Sequence, residues 1–165
     1  MMSACDSGGN SYSRKTIDNR YSIAIASSMK REENHSPALA RLYIDREKGE
    51  LMGITDYLKE GGIIQLSAYL KTLETKPELI GLTLTDLKLG KPIKKQINGH
   101  NALQTGVFAT LKLDDTWHRV WGIVVYIEGK THIYQISAWL INDDPGEDDT
   151  RLHGMINSFE EIKSN

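Results

Sequence analysis

The stretch Asp143 to Asp149, DDPGEDD, places five carboxylates side by side. A hard cation such as calcium takes about six to eight oxygen ligands, so the donors are of the right type. Their order does not match an EF-hand loop, which spaces its early acidic residues two apart and adds a central glycine and a closing bidentate glutamate. The composition predicts a solvated loop instead, with Asp148 or Asp149 capping the helix that follows, where free amides and the helix dipole favour a carboxylate. The five histidines, His35, His100, His118, His132 and His153, are the other metal or general-base candidates. His118 and His132 lie on neighbouring strand-like runs. If Glu128-Gly129 is a two-residue turn, Val125 faces His132 and Trp139 faces His118. The two rings then stand about seven rows apart, roughly 23 Å at the strand rise, too far to share an ion. No HExxH pattern and no cysteine pair is present, so zinc hydrolysis has no visible ligands. Ser67, Ser137 and Ser158 sit among apolar neighbours without a G-x-S-x-G elbow, and Gly61-Gly62 lacks the lysine of a phosphate loop. These absences predict a chain that is not an enzyme and that carries no cofactor and no metal.

One nucleophile remains. Cys5 is the only cysteine, and Ser3, Ala4, Cys5 and Asp6 resemble the end of a lipobox, in which small residues precede a cysteine that is acylated. A secretory leader needs a basic segment and then roughly 7 to 15 apolar residues, whereas Met1, Met2, Ser3 and Ala4 are all that precede Cys5 here. Lipidation at Cys5 therefore requires a start codon further upstream or a chain trimmed to its mature region. Otherwise the match is chance and Cys5 is an ordinary free thiol in a tail. Two features favour an anchor. Ser7 to Lys15, SGGNSYSRK, has the Gly- and Ser-rich composition of a flexible tether, and no second cysteine competes for a disulfide.

Trp117, Trp121, Trp139, Tyr126 and Tyr134 concentrate the aromatic side chains in two neighbouring runs. Amphipathic rings commonly anchor binding surfaces, although in a small domain they more often fill the core. Trp117 and Trp139, near the open end of the hairpin, are predicted to be the partly exposed pair and the candidate contact with a ligand or protein.

These side chains must be held by a domain, and 165 residues suit one. With 20 basic and 22 acidic side chains there is no electrostatic footprint for nucleic acid. No apolar run approaches the roughly 20 residues of a spanning helix, so a membrane link would run through lipid on Cys5. Tyr21 to Ile25 alternates in period two, as a half-buried strand does. Ala38 to Ile44 and Glu50 to Thr55 flank a turn at Asp45 to Gly49 and read as a hairpin. Ile63, Leu66, Leu70 and Leu73 recur at helical spacing, and Pro77 stops that helix. Leu82 to Lys88 and Ile93 to Ile97 are extended, and Asn98-Gly99 is the strongest turn signal in the chain. Ala102 to Leu113, Trp117 to Ile127 and Thr131 to Ile141 then form an antiparallel meander turning at Asp114-Asp115 and Glu128-Gly129. In the middle run Trp117, Arg119, Trp121, Ile123, Val125 and Ile127 share one face, and His118, Val120, Gly122, Val124 and Tyr126 the other. Both faces are largely apolar, which predicts a central strand covered on both sides. Leu152, Met155, Ile156, Phe159 and Ile162 predict a closing helix. The expected fold is α+β: a single antiparallel sheet of about six to seven strands packed with a mid-chain helix and a C-terminal helix.

The stretches YSIAIASSMKRE (Tyr21 to Glu32), INGHNALQTG (Ile97 to Gly106), HIYQISAW (His132 to Trp139) and HGMINSFEEI (His153 to Ile162) resemble the PsbP-like fold. Within it, the chain is most similar to the DcrB-type bacterial envelope lipoproteins. Ala26 stands where proline usually closes the "YSI-x-x-P" opening. The resemblance spans residues 20–162 and implies a domain over 20–165, leaving 1–19 as lipobox remnant and tether. It implies an α/β/α sandwich, frequent lipidation near the N-terminus and a role in binding or assembly, and it transfers no catalytic residues. Members of the fold serve as photosystem accessory subunits, binders of a small GTPase and chaperones of secreted toxins. The expectation is thus a lipid-anchored envelope protein facing the periplasm that binds a protein partner. The alternative is a soluble cytoplasmic chaperone or adaptor of the same fold.

Overall fold

The computed structural model describes residues 11–33, 40–62, 64–76, 78–79, 82–141 and 150–163. Period-two alternation and turn residues produce most of its elements. Strands β1 (Tyr12–Ile17) and β2 (Tyr21–Ala26) form a hairpin, followed by β3 (Lys30–Glu32), β4 (Ala40–Asp45) and β5 (Glu50–Leu58). Helix α1 (Leu66–Thr75) precedes β6 (Glu78–Leu79), β7 (Leu82–Leu89), β8 (Ile93–Ile97), β9 (His100–Leu113), β10 (Thr116–Glu128) and β11 (His132–Ile141). Helix α2 (Thr150–Asn157) and β12 (Glu160–Glu161) close the described chain.

The strands build two sheets where the sequence predicts one. The larger has nine strands in the order β3-β4-β5-β11-β10-β9-β7-β6, with β8 also paired to β9, and the smaller is β1-β2-β12. β2 does not join the large sheet because β1 and β12 satisfy its two edges. β1 itself occupies residues whose composition predicts tether, and Cys5 lies outside the described residues.

The large sheet is buried on both faces, as the two apolar sets of β10 require. One face carries Tyr43, Met52, Ile54, Ile123, Val125, Ile127 and Ile136 and is covered by Ile17, Tyr21, Ile23 and Ile25 of the small sheet together with Leu152, Met155 and Ile156 of α2. The other carries Leu51, Leu103, Val107, Leu111, Val120, Val124 and Trp139 under Leu70 and Leu73 of α1. The result is three layers, with β10 central between β9 and β11.

Two tight turns match their residues. Asn98 and Gly99 have φ of 46° and 82°, and Asp114 and Asp115 have φ of 49° and 62°, the two left-handed positions of a type I′ hairpin loop. The third meander connection differs from expectation. β10 and β11 pair Val125 with Ile136 and Gly122 with Trp139, four residues displaced from the register of a Glu128-Gly129 turn. The turn sits two residues further on: the Gly129 amide donates to the His132 carbonyl at 2.9 Å, which closes it at Lys130-Thr131, and the Glu161 carboxylate accepts the Lys130 amide at 2.9 and 3.0 Å. Glu161 thereby holds the displaced turn from outside the hairpin.

The closing helix is also shorter than its apolar spacing predicts. It ends at Asn157, and Phe159 turns inward to stack on Tyr21 and Tyr134 at centroid distances of 5.6 and 4.9 Å. Asn98 Nδ2 donates to the Phe159 carbonyl at 2.6 Å, so the turn between β8 and β9 fixes where the helix stops. The Asp143 to Asp149 loop, with its expected helix cap, lies outside the described residues.

Candidate functional site: an aromatic sheet face

Alternation along β10 sends Trp117, Arg119 and Trp121 to the same side of the large sheet as Ile123, Val125 and Ile127. The antiparallel register then sets Trp121 beside Phe108, Arg119 beside Thr110 and Trp117 beside Lys112 of β9, and Lys88 of β7 beside Phe108. Cover from the small sheet and α2 thins out along this row. Trp121 is partly buried against the core, whereas Phe108 is 48 % exposed and Trp117 51 % exposed. Three aromatic rings therefore lie on one strand pair, two of them half in water. The Trp121 Nε1 atom is buried without a hydrogen-bond partner among the described residues; leaving such a donor unmet costs about 1–3 kcal/mol.

Cations edge this patch. Lys88 and Arg119 are exposed and form no ion pair among the described residues, while Lys112 Nζ lies 3.3 Å from Asp115. Asp86, in a left-handed conformation at φ 54°, accepts a hydrogen bond from Thr110 at 3.4 Å where the pairing of β7 with β9 slips. The chemistry such a surface offers a ligand is apolar contact and cation–π or carboxylate pairing.

Trp139 is not part of it. It is 2 % exposed and faces the opposite side of the sheet, between Gly122 and Leu51. Directly opposed residues of an antiparallel pair share a face, so any residue opposite the even-numbered set of β10 must point away from Trp117. The expected register, which set Trp139 against His118, already implied that separation. Phe108 was overlooked in the sequence, yet its position carried a signal. It has opposite parity to Val107, Ala109 and Leu111 in the β9 run, and those residues are buried.

The described histidines are dispersed, and His35 lies outside the described residues. His100 Nδ1 contacts the Glu128 carbonyl at 3.1 Å, and His132 Nδ1 contacts the Thr131 hydroxyl at 2.8 Å. No group of three or more potential metal ligands forms among the described residues. Ser158 is used structurally, its hydroxyl donating to the Met155 carbonyl at 2.5 Å and accepting from the Ala24 amide at 2.8 Å. No helix among the described residues is long and apolar enough to cross a membrane.

No protein-family model and no curated protein sequence matches this chain. Solved structures do. The Ran-binding protein Mog1p of Saccharomyces cerevisiae is similar with a TM-score of 0.63 at 13 % identity, covering 93 % of this chain and 97 % of that one. Cyanobacterial PsbP from Synechocystis is similar with a TM-score of 0.61 at 11 % identity, covering 98 % of both chains. A protein from Bacteroides thetaiotaomicron reaches 0.57 at 9 % identity, over 87 % of this chain and 45 % of that one. The fold is that of the PsbP and Mog1 proteins.

Proposed function

We propose that this domain is a non-enzymatic binding module of the bacterial cell envelope, akin to the DcrB-type lipoproteins, held at a membrane through lipid on Cys5. Its partner is a protein segment with apolar side chains and carboxylates that docks on Phe108, Trp117 and Trp121. The observation that carries the docking half is the pair of half-exposed rings of Phe108 and Trp117 on adjacent strands, bordered by Lys88 and Arg119. The fold supports a binding role, since Mog1p is itself a Ran-binding protein. The anchor half rests on the lipobox-like run before Asp6.

Each half has its own test. A photo-crosslinking side chain placed at Trp117 or at Phe108 is expected to capture the same partner from living cells. With that partner purified, Trp117→Ala should weaken binding by roughly thirtyfold, the effect of losing a central aromatic anchor worth about 2 kcal/mol, while the melting temperature stays within a few degrees. Unchanged affinity would remove the docking face from consideration. For the anchor, the gene expressed with its own upstream region should incorporate labelled palmitate, and Cys5→Ser should abolish the label. Unlabelled protein in the cytosolic fraction would favour the soluble adaptor instead.

A further inference from the structure

Two strand edges meet without pairing on the far side of the molecule. Among the described residues β1 bonds β2 alone, and β3, the outermost strand of the large sheet, bonds β4 alone. Between them runs an open groove of about 480 Å³, walled by residues 14–17 of β1 on one side and by Arg31 and Arg41 on the other. Its floor is apolar: Ile17 is 5 %, Met29 7 % and Tyr43 6 % exposed.

Among the described residues nothing pairs with the backbone of β1 on this side. The Ser11 carbonyl accepts the Ser27 amide at 2.9 Å, which makes 11, 13, 15 and 17 the residues bonded across to β2. In antiparallel pairing the alternate residues aim their amides and carbonyls outward, here those of Tyr12, Arg14 and Thr16. Unpaired edge groups of this kind are a template for another strand.

Apart from Asp18, the charged side chains around the groove are cationic. Lys15 shares its face with Ile17 and lines the groove. Arg31 stands opposite Tyr43 on the strand pair β3-β4, and Arg41 lies two residues before Tyr43 on the same face. Arg41 Nη2 contacts Asp18 Oδ2 at 2.5 Å, but Lys15 and Arg31 are exposed and have no ion-pair partner among the described residues. Arg14 is directed elsewhere, donating to Ser22 Oγ at 2.8 Å on the outer face of the small sheet. The chain as a whole has a net charge of −2, so this local excess of cations is not a general surplus. Inward-pointing charges can simply protect an edge. That role needs one strand, whereas these converge from two sheets on one groove.

We infer that an extended acidic segment of a partner protein adds as a strand to the free edge of β1, its backbone bonding Tyr12, Arg14 and Thr16 and its carboxylates meeting Lys15, Arg31 and Arg41. This goes beyond the aromatic face, which lies toward the opposite end of the large sheet.

The probe is a fluorescein-labelled peptide of about seven residues alternating glutamate and threonine, titrated with the purified chain at low salt and followed by fluorescence anisotropy. Binding is expected, and it should weaken roughly tenfold or more when Lys15→Gln and Arg31→Gln are combined. Thr16→Pro should abolish it by removing an outward amide that makes no bond to β2, with circular dichroism unchanged. The same peptide N-methylated at alternate residues should not bind. Equal binding of the methylated peptide or of one with glutamine in place of each glutamate, or no binding at all, overturns the inference. So does competition by free glutarate at the peptide's own strength, which would mark a small-anion site, or a dimer of the chain lost on Thr16→Pro, which would make a second copy the occupant. Trp117→Ala should leave peptide binding unchanged, separating this groove from the aromatic face.

Discussion

Arg151→Ala should cost roughly 3–5 kcal/mol of folding stability, the penalty for stranding a buried charge by deleting its partner. Arg151, near the start of α2, is one of the few buried charged residues, together with Asp45 and Glu50 at the ends of β4 and β5. Its Nε lies 3.3 Å from Glu50 Oε2, its Nη2 3.8 Å from Asp45 Oδ2, and Nη2 donates to Ser28 Oγ at 2.6 Å. Asp45 uses its other oxygen to accept the Glu47 and Lys48 amides at 3.1 and 3.0 Å, so one carboxylate both closes the β4-β5 turn and receives the helix. Burial alone would raise the Asp45 pKa. Hydrogen bonds from Ser28 and the Lys48 amide, with the charge of Arg151, outweigh it and hold the group below its ordinary value. A carboxyl depressed on folding contributes stability that is complete above its unfolded pKa of about 4 and is lost as pH falls through the folded value. Urea titrations should therefore show the Arg151→Ala loss in full at pH 7 and a smaller loss near pH 3. Adding Asp45→Asn and Glu50→Gln should recover part of it at pH 7. A loss under about 1 kcal/mol at pH 7 would mean that the charges are solvated rather than paired.

The second large effect is Gly122→Ala, expected to cost about 3 kcal/mol or more, the upper end for overpacking. A Cβ at Gly122 would sit 2.1 Å from the Ala138 carbonyl oxygen and 2.9 Å from Trp139 Cα. Both are backbone atoms of the neighbouring strand and have no rotamer to yield. The centre of the β10-β11 pair must open instead, disturbing both cores at once. At this chain length that corresponds to a fall of about 6–12 °C in melting temperature. Gly106→Ala is the control: it lies opposite Ile123, and the nearest atom to its added Cβ is 4.0 Å away. Its loss should stay within about 1 kcal/mol, and equal effects at the two glycines would contradict the close-approach account.

Much of the fold was legible in local patterns, and the failures share one form. The mid-chain helix is where Leu66, Leu70 and Leu73 place it, because one apolar stripe suffices to dock a helix. The closing helix has the same spacing through Phe159 and Ile162 but stops at Asn157, because Asn98 and the Tyr21–Tyr134 ring pair take Phe159 from it. The candidate site was half legible. Trp117 is exposed where hairpin-end position suggested. Trp139 is buried because cross-strand parity, which needs a register, decides facing. Lys15 and Arg31 gave no signal in the sequence, since nothing local says that residues 16 positions apart on two different strands will border one groove.

By itself the sequence determined the elements that short-range sterics control. Asn98-Gly99 and Asp114-Asp115 tolerate left-handed backbone and turn the chain, and the two apolar sets of β10 require a strand covered on both sides. The tertiary structure alone decided the register of β10 on β11, the withdrawal of β2 into a second sheet and the face that Trp139 takes. Those depend on groups distant in the chain: Glu161 holding Lys130, β12 pairing with β2, and α1 and α2 covering opposite faces. A local pattern states which side chains share a face. Only the assembled layers state whether that face meets water.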